Sequence, residues 1–377
     1  MKEFDEEELL SIFFDLINIY SPTRNELEVS KYIVKFLENL GAQIYLDESY
    51  ENYGGNCPTV FAKIKGNLEG QGVTFSAHMD VVEPNKESRV IFEDNIIKTD
   101  GNTTLGGDDK AGIAAILYSI KYIIDNNIDH QDIYTIFTPG EEIGMLGAKN
   151  IDWNKLYENM SPAKNVIVVD NAGKSMYVAY KAPTCTNYYM KAIGKTSHAG
   201  LAPEAGVNAI KIMSEIIYNM KSGRIDEFTT ANVSEINSKF PTNVVPDQAT
   251  ASGEIRSHSY ESVDKLLDEY EEIGNTIADK YHGKFEMQRI QQYPLLNSKD
   301  ELAFANEFLE IYKSVGVDAQ LQVIGGGSDA NYLAGQGFNS IIIGVGMQKV
   351  HTTEEYLEVV ELKNTTRAII KYLSSRV

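Results

Sequence analysis

Cysteine and tryptophan are scarce in this chain, and positive charge is well short of negative. Two cysteines, Cys57 and Cys185, stand far apart among 377 residues and form no C-x-x-C pair. A disulfide framework and a cysteine-rich metal module are thereby excluded, and two reduced, buried thiols are the expectation. Lysine and arginine number 34 against 54 aspartates and glutamates, a formal charge of −20. A field of that sign opposes phosphate backbones and anionic bilayers, so neither nucleic acid nor membrane is an expected partner. No apolar run reaches the roughly 18 residues of a membrane span, and the opening MKEFDEEELL is acidic where a signal peptide is basic. These absences predict a soluble, cytoplasmic protein. What is present is ordinary for a folded chain, with 43% hydrophobic and 23% charged residues. Such a length exceeds what one core usually supports, so two unequal domains are expected.

The first half alternates helix and strand. DEEELLSIFFDLINIY and RNELEVSKYIVKFLENLG read as amphipathic helices joined by SPTRNE. Strands AQIYLDE, PTVFAKIKG and GVTFSAH follow, then helix DDKAGIAAILYSIKYIID, strand DIYTIFTP, a short helix GMLGAKNI and strand NVIVVD. Apolar strands without alternation predict an α/β domain whose mixed, mostly parallel sheet carries helices on both faces. From about residue 183 the strands alternate instead (TNYYMKAIGK, FTTANVSEIN, ATASGEIRSH, KFEMQRIQQY), with helices PEAGVNAIKIMSEIIYNM and YESVDKLLDEYEEIGNTIADKYH between them. The earlier style returns near residue 292. The expectation is a discontinuous domain, residues 1–182 and 292–377, interrupted by a smaller α+β lid, residues 183–291.

Chemistry gathers where the strands of the first domain end. TFSAHMD supplies His78 and Asp80, IFTPGEE supplies Glu141 and Glu142, and VIVVD supplies Asp170. LGGDDKAG places Asp108 and Asp109 at a glycine turn opening a helix, and GVGMQKVHTTEE places His351 after a strand. A parallel sheet brings such ends to one rim. Singly, each acid reads as a helix cap or a turn residue. Together they form a donor set for two divalent cations: His78 and Asp170 on one, Glu142 and His351 on the other, Asp108 between them. Three carboxylates against two dications leave one positive charge, which a bridging hydroxide cancels. Imidazole and carboxylate donors suit zinc, and two metals roughly 3.5–4 Å apart make hydroxide a nucleophile at neutral pH. Glu141 is then free to act as general base, and Asp80, two residues along an extended chain, can reach the far ring nitrogen of His78. Charge alone does not separate Asp108 from Asp109 as the bridge.

In order, SAHMDVV, GGDDKAG, TPGEEIGMLGA, VVDNAG, GKTSHAG, NVVPDQATASGEIRSH and HTTEEYLEV resemble the landmarks of peptidase T-like zinc metallopeptidases, within the group that includes carboxypeptidase G and acetylornithine deacetylase. The resemblance implies two zinc ions per subunit, with Asp108 as the bridge, Asp80 and Glu141 as the catalytic acids, and a cis peptide bond after Asp108. It also implies that His198, in GKTSHAG, polarises the scissile carbonyl, an imidazole donor aimed at the developing oxyanion. Arg256 has the fork geometry to grip a peptide carboxylate, or else forms a rim salt bridge. Asn243 is a cleft contact or a turn residue. Gly326, Ser328 and Asp329, in IGGGSDAN, are assigned to the pocket wall; no lysine follows, so this is not a phosphate loop.

The expected activity is that of a dizinc exopeptidase releasing the N-terminal residue of short peptides. An N-acyl amino acid deacylase using the same centre is the alternative, since the same chemistry cleaves either amide. A peptide-binding protein that kept the fold and lost catalysis would lack a ligand or the base, and here every position is filled. The resemblance further implies a homodimer paired through the lid, where a free strand edge invites association.

Overall fold

Strands Val73–His78 and Ile133–Thr138 are buried at every residue, as strands covered on both faces must be. They pair in parallel, and Asn165–Asn171 and Asn339–Gly344 continue the parallel run. Thr59–Ile64 and Gln43–Asp47 extend one side in antiparallel fashion. On the other side Tyr177–Ala182 runs antiparallel to Asn339–Gly344, and the whole is a nine-stranded mixed sheet. This computed structural model describes residues 3–375. The chain divides into two units: one takes the chain up to Lys181 with Leu296–Ile324 and Ser328 onward, the other Ala182–Leu295 with Gly325–Gly327.

Helix Gly107–Asp125 is the centre of the first unit's core. It packs against strands Val73–His78 and Asn165–Asn171 and against helices Glu6–Ile17 and Val359–Ser374. Ile113, Ile116, Leu117 and Ile120 are wholly buried, each contributing about 1.5–3 kcal/mol relative to exposure. The helix can approach the sheet this closely because residue 112 is glycine: a Cβ there would lie 2.2 Å from the Val169 carbonyl oxygen. That approach sets Asp108 and Asp109, at the start of the helix, beside the end of the Asp170 strand.

A four-stranded sheet joins Met347–Gln348, Tyr356–Glu358, Ile96–Thr99 and Val90–Glu93 in that order. Its hairpin turns on Asp94 and Asn95, both with positive φ (53° and 60°), as a two-residue hairpin loop of the primed type requires. A reading keyed to long apolar strands passes over it.

The second unit has its own core and an antiparallel sheet of five strands: Gly223–Arg224, Thr229–Asn237, Gln248–Ser257, Thr184–Ile193 and Lys284–Tyr293. Helices Ala209–Asn219 and Tyr260–Lys280 pack on it. The first of these starts later than the Pro203 expected from the sequence. Residues Pro203–Ala205 make a separate 3₁₀ turn, Val207 pairs with Lys195, and the Asn208 side chain caps the amides of Ile210 and Lys211. No helix among the described residues is long and apolar enough to cross a membrane.

Gly112→Ala should therefore lower stability by about 1–3 kcal/mol, the cost typical of overpacking. A thermal melt superimposable on that of the parent would contradict the close packing of this helix on the sheet.

Candidate metal centre

Parallel register delivers the first donors. His78 and Thr138 are cross-strand partners at the ends of adjacent strands, and the Pro-Gly turn after Thr138 leads into Glu141 and Glu142. His78 Nε2 lies 3.2 Å from Asp108 Oδ1 and 3.6 Å from Asp170 Oδ1. His351 Nε2 lies 2.9 Å from Glu142 Oε2 and 3.3 Å from Asp108 Oδ2. Asp108 thus presents one oxygen to each histidine. The peptide bond between Asp108 and Asp109 is cis. Ligand atoms of His78, Asp108 and Glu142, and separately of His78, Asp109 and Asp170, lie within 4.8 Å of one another, close enough to share an ion. Asp109 also accepts a hydrogen bond from the His78 backbone N–H at 3.3 Å.

The electrostatics of these groups call for a cation. Burial drives the Asp170 and Glu141 carboxyls well above the ordinary carboxylate range, and neighbouring acids add to the shift. Glu142 is raised for the same reason, and its Oε1 is buried with no hydrogen-bond partner. Against its own burial, His78 is held well above its ordinary value by Asp108, Asp80 and Asp170. Donor types, spacing and an orphaned carboxylate oxygen all fit divalent cations, whose charge would return these acids to their ionised forms.

Asp80 is wholly buried, yet its pKa is lowered: burial would raise it, but His78, the Glu141 N–H and Thr23 outweigh that cost. Its Oδ1 is 3.5 Å from His78 Nδ1, while its own backbone carbonyl is closer to that nitrogen, at 3.0 Å. The carboxylate's shorter contacts are with Thr23 Oγ1 at 2.8 Å and the Glu141 N–H at 2.9 Å; the Glu142 N–H donates at 3.2 Å. Asp80 therefore braces the Glu141–Glu142 turn as well as the histidine. Glu26, which sequence reasoning took as part of a helix, accepts from the Gly140 N–H at 3.1 Å, and burial pushes it to about 7. Thr23 and Glu26 were concealed in SPTRNE because a turn motif there explains itself without the site.

Asp329 also belongs to this unit. It is buried, accepts from the Thr138 hydroxyl, and burial pushes it up to about 6. Ser328 spends its hydroxyl capping the helix Asp329–Gly335, within a capping box with Asn331. His198, Asn243, Arg256 and Gly326 lie in the second unit. There His198 is exposed and forms an isolated bridge with Val244, while the Ala199 N–H donates to the Asn243 carbonyl at 2.9 Å, so the two predicted residues share one loop pair. Arg256 forks onto Glu254, Nε to Oε1 at 2.8 Å and Nη2 to Oε2 at 3.3 Å, the salt-bridge alternative its sequence left open.

Comparisons with known proteins agree on a class. A family profile described as a peptidase dimerisation domain matches residues 185–282, and one described as peptidase family M28 matches residues 59–217. The chain is 34% identical to the uncharacterized protein YqjE of Bacillus subtilis (strain 168), over 97% of each chain. The solved aminopeptidase PepT of Bacillus cereus ATCC 10987 superposes with a TM-score of 0.91 at 32% identity, over 98% of both chains. A tripeptidase of Staphylococcus aureus subsp. aureus mu50 does so with a TM-score of 0.92 at 31% identity, over 99% of both. The protein is a hydrolase of the metallopeptidase class. It belongs to the M20 family of peptidases, among the relatives of peptidase T.

In chelator-treated protein, hydrogen bonds to Asp108 and Glu142 push His351 to about 10, so the ring is protonated at neutral pH. Its folded value is raised, so this stabilisation is full below the unfolded value of about 6.5 and is lost as pH rises through about 10. A cation requires the neutral ring, so zinc binding should expel about one proton or more per chain at pH 7. Titration calorimetry in buffers of differing ionisation enthalpy reads that release, and a buffer-independent enthalpy would contradict it.

Proposed function

We propose that this metallopeptidase is a dizinc aminopeptidase that removes the N-terminal residue from tripeptides and similarly short peptides. The observation that carries the reading is Asp108, whose two oxygens face His78 with Asp170 on one side and His351 with Glu142 on the other. Zinc fits the imidazole–carboxylate donor set and, when bound, supplies Lewis acidity to the scissile carbonyl and to the attacking water. The PepT and tripeptidase relatives support the choice of substrate.

The chain's own residues then divide the work. His78 and Asp170 would hold one ion, Glu142 and His351 the other, with Asp108 able to serve both. Glu141 is not needed as a ligand, and its backbone is fixed by the N–H bond to Asp80. Burial raises its carboxyl, and the charge of bound cations would favour its ionised form, in which Glu141 can take the proton from water and pass it to the leaving amine. Asp80 fixes the ring of His78. His198 and Arg256 are proposed contacts for peptide carbonyl and carboxylate groups, Arg256 by exchanging Glu254 for a peptide terminus. An excess of acids and two buried free thiols fit a cytoplasmic enzyme. The second unit also fits a homodimer contact: its strand Thr229–Asn237 is paired by Gly223–Arg224 over only Thr230 and Ala231, and its Ile236 is exposed.

Zinc-restored protein should release the N-terminal residue from tripeptides, and Glu141→Gln should lower kcat by about 10²–10⁴-fold with zinc content unchanged. Turnover confined to N-acetyl amino acids would replace the aminopeptidase with the deacylase. Undiminished kcat in the variant would remove Glu141 as the base.

A further inference from the structure

The two loops that meet at Asp108 come from opposite ends of the chain, and one buried carboxylate ties them together. Glu355 is 2% exposed. Its Oε2 accepts the N–H groups of Leu105 and Gly106 at 2.8 and 2.9 Å, and its Oε1 accepts the N–H of Asp108 at 3.0 Å. Three backbone donors converge on one carboxylate, so each would be left without its charged acceptor if that carboxylate were lost. The fit is close: a Cβ on Gly107 would lie 3.1 Å from Glu355 Oε1, and Gly106 adopts a left-handed φ of 71° that presents its amide to the same group.

Glu355 is itself fixed. Its N–H donates to the Thr352 carbonyl at 3.1 Å, and the Thr352 hydroxyl donates to the Lys349 carbonyl at 2.7 Å, closing the turn that carries His351. Strand Tyr356–Glu358 follows at once and is paired on both sides. A closed circuit results. Glu355 holds the backbone of Asp108, the Asp108 side chain reaches His351 Nε2 at 3.3 Å, and His351 returns to Glu355 through its own turn.

We infer that Glu355 is a positioning residue that sets the separation of Asp108 and His351, and so governs the affinity of the His351–Glu142 side of the centre for a divalent cation. The inference rests on the metal reading given above. It assigns Glu355 no contact with substrate or ion. An amide in its place presents N–H groups to backbone N–H groups and can accept through one oxygen only.

The test is competition for zinc against a chromophoric chelator, with the visible spectrum of the cobalt-substituted protein as a second readout, on the full chain and on Glu355→Gln. The zinc ion on the His351–Glu142 side should bind roughly 10–100-fold more weakly, the range typical of outer partners of metal ligands, and the other, which shares Asp108 but keeps His78 and Asp170, should weaken less. The cobalt bands of one site should shift. Added to His351→Ala, the substitution should cost little more, because the site it serves is already broken. Should Glu355→Gln fail to fold, Glu355→Asp keeps the charge while shortening the reach and must show the same unequal weakening, larger on the His351–Glu142 side. Two unchanged affinities and unchanged cobalt bands in a folded variant would overturn the inference alone. A parent protein that binds no zinc would overturn the metal reading and this inference with it.

Discussion

Buried carboxylates that face one another across a few ångströms stay ionised only when something positive lies between them, and that constraint organises the first unit. Asp108, Glu142 and Asp170 have little exposure, and Glu141 stands beside them with its carboxyl raised by burial. Among the described residues, the imidazoles they face are His78 and His351, and both are raised above the ordinary histidine value by those acids. Removing a charge from water costs several kcal/mol per ion when it is left unpaired. Divalent cations would resolve the conflict, and the elements that carry these residues fix where such ions would sit.

The fixing is done largely by the backbone. Parallel register aligns the ends of the strands carrying His78 and the Glu141–Glu142 turn. Gly112 lets the central helix lie against the Asp170 strand, which brings Asp108 to the same rim. Asp80 and Glu26 then take the amides of the turn after Thr138, and Glu355 takes those of the loop before Asp108. Acids serve in two ways here. Those with backbone N–H donors hold loops in place, whereas Glu142 Oε1 has no hydrogen-bond partner and would be open to a cation.

How much of this the sequence disclosed follows from the same division. Acids and histidines at the ends of successive apolar strands were legible because several signals coincided, and the mixed sheet was legible because its strands lack alternation. Glu355, Thr23 and Glu26 were not. Each contacts a backbone amide or carboxylate of a residue far away in the chain, and such partners leave no periodicity or spacing to read. The Val90–Thr99 hairpin carried a local signal in its Asp94–Asn95 turn, but short edge strands are easily outvoted by longer neighbours. Arg256 was given two readings from sequence, and within its unit it is paired to Glu254. The start of helix Ala209–Asn219 was misplaced because Pro203 is as good a first-turn residue as the Asn208 cap that the chain uses.

The account stands or falls on where cations lie. Anomalous diffraction at the zinc absorption edge, from crystals grown with zinc, would show it directly. Two peaks are predicted about 3.5–4 Å apart on either side of Asp108, one against His78 and Asp170 and the other against Glu142 and His351. A single peak, or peaks away from Asp108, would contradict the proposed centre and the mechanism built on it.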